Sequence, residues 1–280
     1  SFQVLHRDSG ARVGELRTPH GRVQTPAFAP VGTRGAVKGV THRDLLGLGT
    51  ELMLANAYHL HLRPGASLVA RSGGLHRFIG WDKPILTDSG GYQVFSLGAS
   101  RRIDEDGVAF RSHLDGSSKR LTPENVAEIQ AQLGSDIAMV FDECTSYPVS
   151  EEEAESSMQR TLRWARRGRE RFLSIVDRPA SLDGEVTNPG QAQFGIVQGS
   201  VYERLREHSA QKTVALGFEG FAIGGLSVGE PVDVMYRIVS STTATLPDER
   251  GRYLMGTGMP DDLVECVARG IDLFDCVIPT

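Results

Sequence analysis

The sequence predicts an α/β protein built as a (β/α)8 TIM barrel, and three observations lead there. Eight short apolar segments recur at fairly even intervals: TPAFAPVGT, ELMLANAY, PILTDSGG, DIAMVFDE, QFGIVQG, GFAIGGL, RYLMGTG and LFDCVIPT. Between them lie stretches with helix-start signals, and that alternation implies parallel strand pairing. Runs of this kind, buried on both faces, suit an open doubly wound sheet or a closed barrel, and eight repeats favour closure.

Taken in order, residues 1–24 carry turn signals at Ser9-Gly10 and His20-Gly21 and predict short antiparallel strands that cap the barrel floor. THRDLLGLG opens a helix at Thr41, and TPENVAEIQAQLG opens another with Thr122 as N-cap and Pro123 in the first turn. In SEEEAESSMQRTLRWARR, Ser150 and Glu153 have capping-box spacing. VDRPASLDGEVTNPG is rich enough in Pro, Gly, Asp and Asn to form a surface connection. The reading is one catalytic domain over residues 1–280. It ends directly after the eighth strand, so the helix expected to cover that strand is not in the sequence.

With 40% hydrophobic and 23% charged residues over 280 positions, the composition is that of a globular protein. The formal charge of -5 argues against gripping nucleic acid with the whole surface, so any RNA contact has to be local. Cys144, Cys266 and Cys276 are too few and too irregularly spaced for a disulfide framework, and no CxxC pair offers a metal or redox site. The sequence has no leader pattern and no run of roughly 18 apolar residues, so the expected location is the cytoplasm and no membrane partner is expected. No GxGxxG follows a strand, which leaves dinucleotide binding unsupported.

In such a barrel the reactive groups stand at the C-terminal ends of the strands. Asn56 and His59 follow the second predicted strand, Asp88 and Ser89 close the third, Asp142 and Glu143 the fourth and Gln198 the fifth, while Asp275 lies within the last. Several carboxylates around one mouth repel one another, which raises some pKa values and separates a proton donor from a charged nucleophile. That division suits chemistry at a glycosidic carbon, where one carboxylate attacks and a second manages the leaving group's proton. Bland alternatives stand beside these readings. Asp88 before Ser-Gly-Gly also suits a turn or a helix cap, and Gln198 could simply satisfy backbone groups. His59, His61 and His113 lack metal-ligand spacing, and Arg160, Arg163, Arg166, Arg167, Arg169 and Arg171 read as a solvated helix face before an RNA patch.

Taken together and in order, LTDSGGYQVFSL, SHLDGS, GSDIAMVFDECTSYP, GIVQGS, GGLSVGE, YLMGTG and GIDLFDCVIPT resemble the bacterial-type tRNA-guanine transglycosylase (queuine/preQ1 tRNA-ribosyltransferase) family. The resemblance implies a modified TIM barrel acting on the wobble guanine of tRNAs with GUN anticodons, in queuosine biosynthesis. It implies that Asp275 is the nucleophile at C1′ of the ribose and that Asp88 is the general acid/base. It also implies that Asp142, Gln198, Gly225 and Leu226 recognise the base edge, that Tyr92 and Met255 sandwich the ring, and that Ser89 and Asn56 support the pocket. Cys144 and Val228 match the bacterial pattern, which takes the aminomethyl 7-deazaguanine preQ1. The partners implied are the tRNA anticodon loop, guanine and preQ1, with a homodimer expected. Family members carry a C-terminal zinc subdomain with CxCxxC and a distant His; no such ligands occur in this sequence, so zinc is expected only of a full-length member. Two rival readings remain: a non-catalytic accessory subunit on the same barrel, and a retaining glycoside hydrolase. The presence of both Asp88 and Asp275 argues against the first, and the scarcity of aromatic platforms argues against the second.

Overall fold

The structure is a computed structural model that describes residues 1–96 and 101–278. Leu97 of the LTDSGGYQVFSL motif and the last two residues of the predicted eighth strand, Pro279 and Thr280, lie outside the described residues.

Three antiparallel strands open the chain: β1 (Phe2–Asp8), β2 (Ala11–Thr18) and β3 (Gly21–Thr25). The barrel strands are β4 (Ala27–Pro30), β5 (Met53–Ala55), β6 (Ile85–Thr87), β10 (Ile137–Met139), β11 (Ala192–Val197), β12 (Gly220–Ile223), β13 (Gly251–Leu254) and β14 (Leu273–Cys276). All eight predicted segments therefore form the barrel. Their pairing is parallel, in the order β4-β14-β13-β12-β11-β10-β6-β5, and a parallel bridge from Val31 to Leu54 joins β5 back to β4. That bridge closes the ring and rules out the open doubly wound sheet.

Helices run between the strands: α1 (His42–Gly47), then α2 (Ala57–Leu62), α3 (Ala66–Arg71) and α4 (Leu75–Ile79), then α5 (Gly91–Ser96) and α6 (Pro123–Leu133). α7 (Glu151–Asp177), α8 (Glu203–Val214), α9 (Val232–Thr243) and α10 (Pro260–Ala268) follow. No described helix is long and apolar enough to cross a membrane. Thr41 and Thr122 cap their helices as expected, each in a reciprocal bond with the residue three positions on. The capping box expected at Ser150 forms only in part. Ser150 Oγ accepts from the Glu153 amide at 3.2 Å, and no bond returns from the Glu153 carboxylate among the described residues.

One element is absent from the sequence reading. The strands β7 (Arg101–Ile103), β8 (Val108–Arg111) and β9 (Ser118–Leu121) form a small antiparallel sheet between α5 and α6, with the SHLDGS motif at its β8–β9 turn. Each strand has three or four residues, and of these only Val108, Phe110 and Leu121 are buried, too few to form an apolar run. Trp164 of α7 sends its indole N–H to the Glu105 carbonyl at 2.8 Å and stacks on Phe141 with centroids 5.0 Å apart, so this sheet and the end of β10 share one packing layer.

The first sheet lies under the barrel floor, as its turn signals imply. Its main polar tie is buried: Arg12 of β2 grips Asp272, the residue before β14, with the Nε–Nη2 edge of its guanidinium, and reaches the carbonyls of Asp248 and Arg250 at 2.9 Å. Burial pushes the Asp272 carboxyl up, and the Arg12 contacts oppose that rise. Neither side chain of the pair has any exposure, so removing one leaves a stranded charge. Arg12→Met should lower unfolding free energy by about 3–5 kcal/mol in urea titration, and Arg12→Met with Asp272→Leu should recover part of it. A single-mutant loss under about 1 kcal/mol would show that the pair does not hold the floor.

Candidate active site

Asp88 follows β6 directly, and its two oxygens accept four hydrogen bonds, none from a cation. Oδ1 takes the amides of Ala57 at 2.9 Å and Gly90 at 3.2 Å, so the turn-capping reading is part of the truth. Oδ2 takes the side-chain amides of Gln93 at 2.8 Å and of Asn56. Burial raises its pKa to about 6 against the pull of these bonds, and the charge of Asp275 adds to the rise.

Asp275, the third residue of β14, stands in register with Ala29 of β4. Its Oδ1 accepts the Tyr253 hydroxyl at 2.5 Å and the Gly256 amide at 2.9 Å. Burial raises this carboxyl too, and the Tyr253 and Gly256 bonds restrain the rise. Tyr253 is itself buried, and its hydroxyl is held well above its ordinary pKa by that burial and by the charge of Asp275, so it remains a donor. Asp88 and Asp275 thus meet at one rim, and neither is locked in an ion pair among the described residues.

The third acid, Asp142, follows β10 and is buried between two neutral donors. Ser89 Oγ donates to its Oδ1 at 3.0 Å and Gln198 Nε2 to its Oδ2 at 2.8 Å. Burial lifts its pKa to about 6. The sequence attributes such shifts to mutual repulsion of the acids. Desolvation is instead the largest cause at all three; repulsion comes last among the causes at Asp88, from Asp275, and at Asp142, from Glu143, and is not among those at Asp275. Glu143, by contrast, turns outward to Arg160.

Ser89, Gln198 and Cys144 gather around Asp142. Gln198 lies against Gly225, whose φ is 65° and where an added Cβ would sit 2.3 Å from Gln198 Oε1, so only glycine fits this turn. Leu226 is buried, Met255 and Val228 are half-buried, and Tyr92 stands 56% exposed on α5 with its ring open to stacking. Cys144 is buried beside Asp142, and burial takes its thiol up to about 12, which keeps it protonated there.

A family model described as queuine tRNA-ribosyltransferase matches residues 8–280. The chain belongs to that family. Curated relatives named queuine tRNA-ribosyltransferase include one from Pelotomaculum thermopropionicum, 54% identical over the whole chain and 72% of the relative's length. Others come from Thermoanaerobacter sp. (strain X514) and Rickettsia akari, each 52% identical over the whole chain and covered over 72% and 74% of their lengths.

The residues present do not fit the structural zinc that the family resemblance implies. The three cysteines are buried and unpaired at separate places, after β10, on α10 and on β14. Of the histidines considered in the sequence, His113 takes part in a hydrogen bond with Tyr58 at 3.1 Å, and His59 sits edge-on to both rings. The arginine face of α7 is matched by acids: Arg163 pairs with Glu105, Arg167 with Glu124, Arg169 with Glu219 and Arg171 with Glu128. Arg160 likewise pairs with Glu143, while Arg169 is buried and Arg166 is exposed with no ion pair among the described residues, so the face is largely ion-paired and not a free phosphate patch.

Four residues of this candidate site were given no role by the sequence reading. Gln93 and Tyr253 hold the two catalytic candidates; both lie inside the quoted motifs LTDSGGYQVFSL and YLMGTG, yet nothing in the pattern marks which way they point. Glu230 accepts the amides of Ser227 and Val228 at 2.5 and 3.0 Å and so bends the loop after β12. Arg206 of α8 is wholly buried with no carboxylate bonded to it among the described residues; it donates to the carbonyls of Ser200, Val197, Gly224 and Gly225 at 2.7, 2.9, 2.7 and 3.4 Å. Burial lowers its pKa to about 10, which still leaves it charged. It clamps the β11 and β12 loops from behind and fixes the Gly225 peptide against Gln198. Arg206→Met should cost about 3 kcal/mol or more in urea unfolding, because several buried carbonyls lose their donor at once. A cost below about 1 kcal/mol would show that other donors reach these carbonyls.

Proposed function

We propose that the chain is a tRNA-guanine transglycosylase of queuosine biosynthesis, which exchanges the wobble guanine of GUN-anticodon tRNAs for the 7-deazaguanine preQ1 through a covalent aspartyl-ribose intermediate. The observation that carries this reading is the meeting of two carboxyls with no cation partner, Asp88 and Asp275, at the rim that also holds the Asp142–Gln198–Gly225 cluster. The names of the curated relatives support the enzyme class.

In this mechanism an Asp275 oxygen attacks C1′ of the guanosine ribose, the C1′–N9 bond breaks, and its electron pair leaves with guanine. Tyr253 and the Gly256 amide hold the attacking carboxylate by one oxygen, which leaves the other free to reach carbon. Asp88 gives a proton to the departing base and later takes the N9 proton of preQ1, whose N9 then displaces Asp275 from C1′. Asp142, as carboxylate, accepts from the N–H edge of either base; Gln198 and the main chain at Gly225 and Leu226 supply the complementary groups. Tyr92 and Met255 stack on the two faces of the ring, which offsets part of the cost of drawing the nucleotide out of the loop. Val228 and Cys144 shape the pocket for the small aminomethyl group of preQ1.

Incubation with a GUN-anticodon tRNA and trapping in denaturant should give an RNA-protein adduct that preQ1 chases into modified tRNA. Asp275→Ala should give none, and a normal adduct from it would remove Asp275 from the nucleophile's role. Asp142 sets an acid limb of the rate, because it serves as carboxylate and loses its negative charge as pH falls through about 6, so kcat/KM for tRNA should fall below that pH by about one decade per unit; Asp88, which enters the departure of guanine as an acid, does not add to that fall. A profile flat down to pH 5 would exclude Asp142 as a required carboxylate.

A further inference from the structure

The base-exchange chemistry gives no part to a buried cation that stands behind the pocket. Arg206 of α8 has no exposure, yet two of its hydrogen bonds end on consecutive peptides of the loop after β12. Nη1 reaches the Gly224 carbonyl at 2.7 Å, and Nη2 reaches the Gly225 carbonyl at 3.4 Å. On their far sides those two peptides carry the amides of Gly225 and Leu226. A peptide unit is planar and trans, so holding its oxygen also aims its N–H the opposite way. Neither amide donates to an acceptor among the described residues, although Leu226 is buried. The amides on either side of the pair are engaged: Gly224 donates to the Val197 carbonyl at 3.1 Å, and Ser227 and Val228 donate to Glu230. Two adjacent donors are thus kept free while one guanidinium holds their backs.

We propose that Arg206 is a positioning residue for base selection, which makes the Gly225 and Leu226 amides a reader of a ring-carbonyl oxygen; the inference rests on the transglycosylase reading. Three features support it. The loop packs on the Gln198 side chain: a Cβ added at Gly224 would stand 2.8 Å from Nε2, and one at Gly225 would stand 2.3 Å from Oε1. Gln198 in turn donates to Asp142, so the two amides border the place where a base presents its N–H edge to that carboxylate. In guanine and preQ1 the atom beside the ring N–H on that edge is the 6-oxo oxygen, an acceptor that needs donors once it leaves water. A cation on the carbonyl side strengthens such donors, because hydrogen bonds in series polarise one another where the dielectric is low. No bonded carboxylate neutralises Arg206 among the described residues, so the two peptides feel its charge directly. A base with a weaker acceptor in place of that oxygen gains less from the arrangement.

Guanine and 6-thioguanine are the probes, since they differ at that one atom and sulfur accepts hydrogen bonds weakly. The full-length protein is assayed for exchange of labelled guanine into a GUN-anticodon tRNA, giving the KM for guanine and the Ki of 6-thioguanine. The unsubstituted protein should prefer guanine by about tenfold or more, the size of one or two hydrogen bonds. Arg206→Lys, which keeps the charge but not the planar fork, and Arg206→Met should each raise the KM for guanine roughly tenfold. Both should move the Ki of 6-thioguanine by less than about threefold, so that the preference collapses. Arg206→Lys decides the matter should Arg206→Met fail to fold. Equal losses for the two bases would reduce Arg206 to a scaffold and overturn the inference, as would an unchanged preference in a folded variant or none in the unsubstituted protein. Absence of guanine exchange by the unsubstituted protein would instead sink the transglycosylase reading, and this inference with it.

Discussion

Everything at the rim depends on how three carboxyls are kept out of water without a counter-cation. Asp88, Asp142 and Asp275 are held by amides, hydroxyls and side-chain carboxamides, donors that carry no net charge. A guanidinium in their place would have locked each acid as a low-pKa structural anion, as happens in part to Glu105 and Glu124, which pair with arginines of α7. Neutral donors fix direction while leaving the charge negotiable. Burial then sets the pKa, and a proton can come and go near neutrality.

That arrangement explains which parts of the site were legible in the sequence. An acid placed straight after an apolar strand is costly to bury idly, so Asp142 and Asp275 stood out from residue type and position alone, and Asp88 followed from its place at the end of a strand. The eight barrel strands were equally readable, because a strand covered on both faces has to be apolar throughout. The partners were not readable. Gln93, Tyr253, Glu230 and Arg206 act through the direction of one side chain, which depends on tertiary packing and leaves no period in the chain. The β7–β9 sheet escaped for a related reason, since strands of three or four residues with one buried face offer at most two apolar positions each.

Polar ties also hold the floor, but with the opposite electrostatics. There Arg12 and Asp272 are a fully buried ion pair, and Asp136 gathers two imidazoles and two main-chain amides. The N-terminal sheet is thus fastened beneath β14 and β10, at the roots of two strands that deliver acids to the rim. Rigidity below and adjustable protonation above are distributed along the same strands.

The barrel closes at a narrow seam. Across it the Gly32 amide reaches the Leu54 carbonyl at 2.7 Å and the Asn56 amide reaches the Thr33 carbonyl at 3.1 Å, around the single Val31–Leu54 bridge. Going round the ring, Asp275 and β14 lie on one side of that join, and β5, β6 and Asp88 on the other. Asn56 stands on it, stitching the join with its backbone while its side chain steadies Asp88. Any breathing of the cylinder at this stitch alters the gap between the two acids, so the thinnest part of the wall is also the caliper that sets their reach.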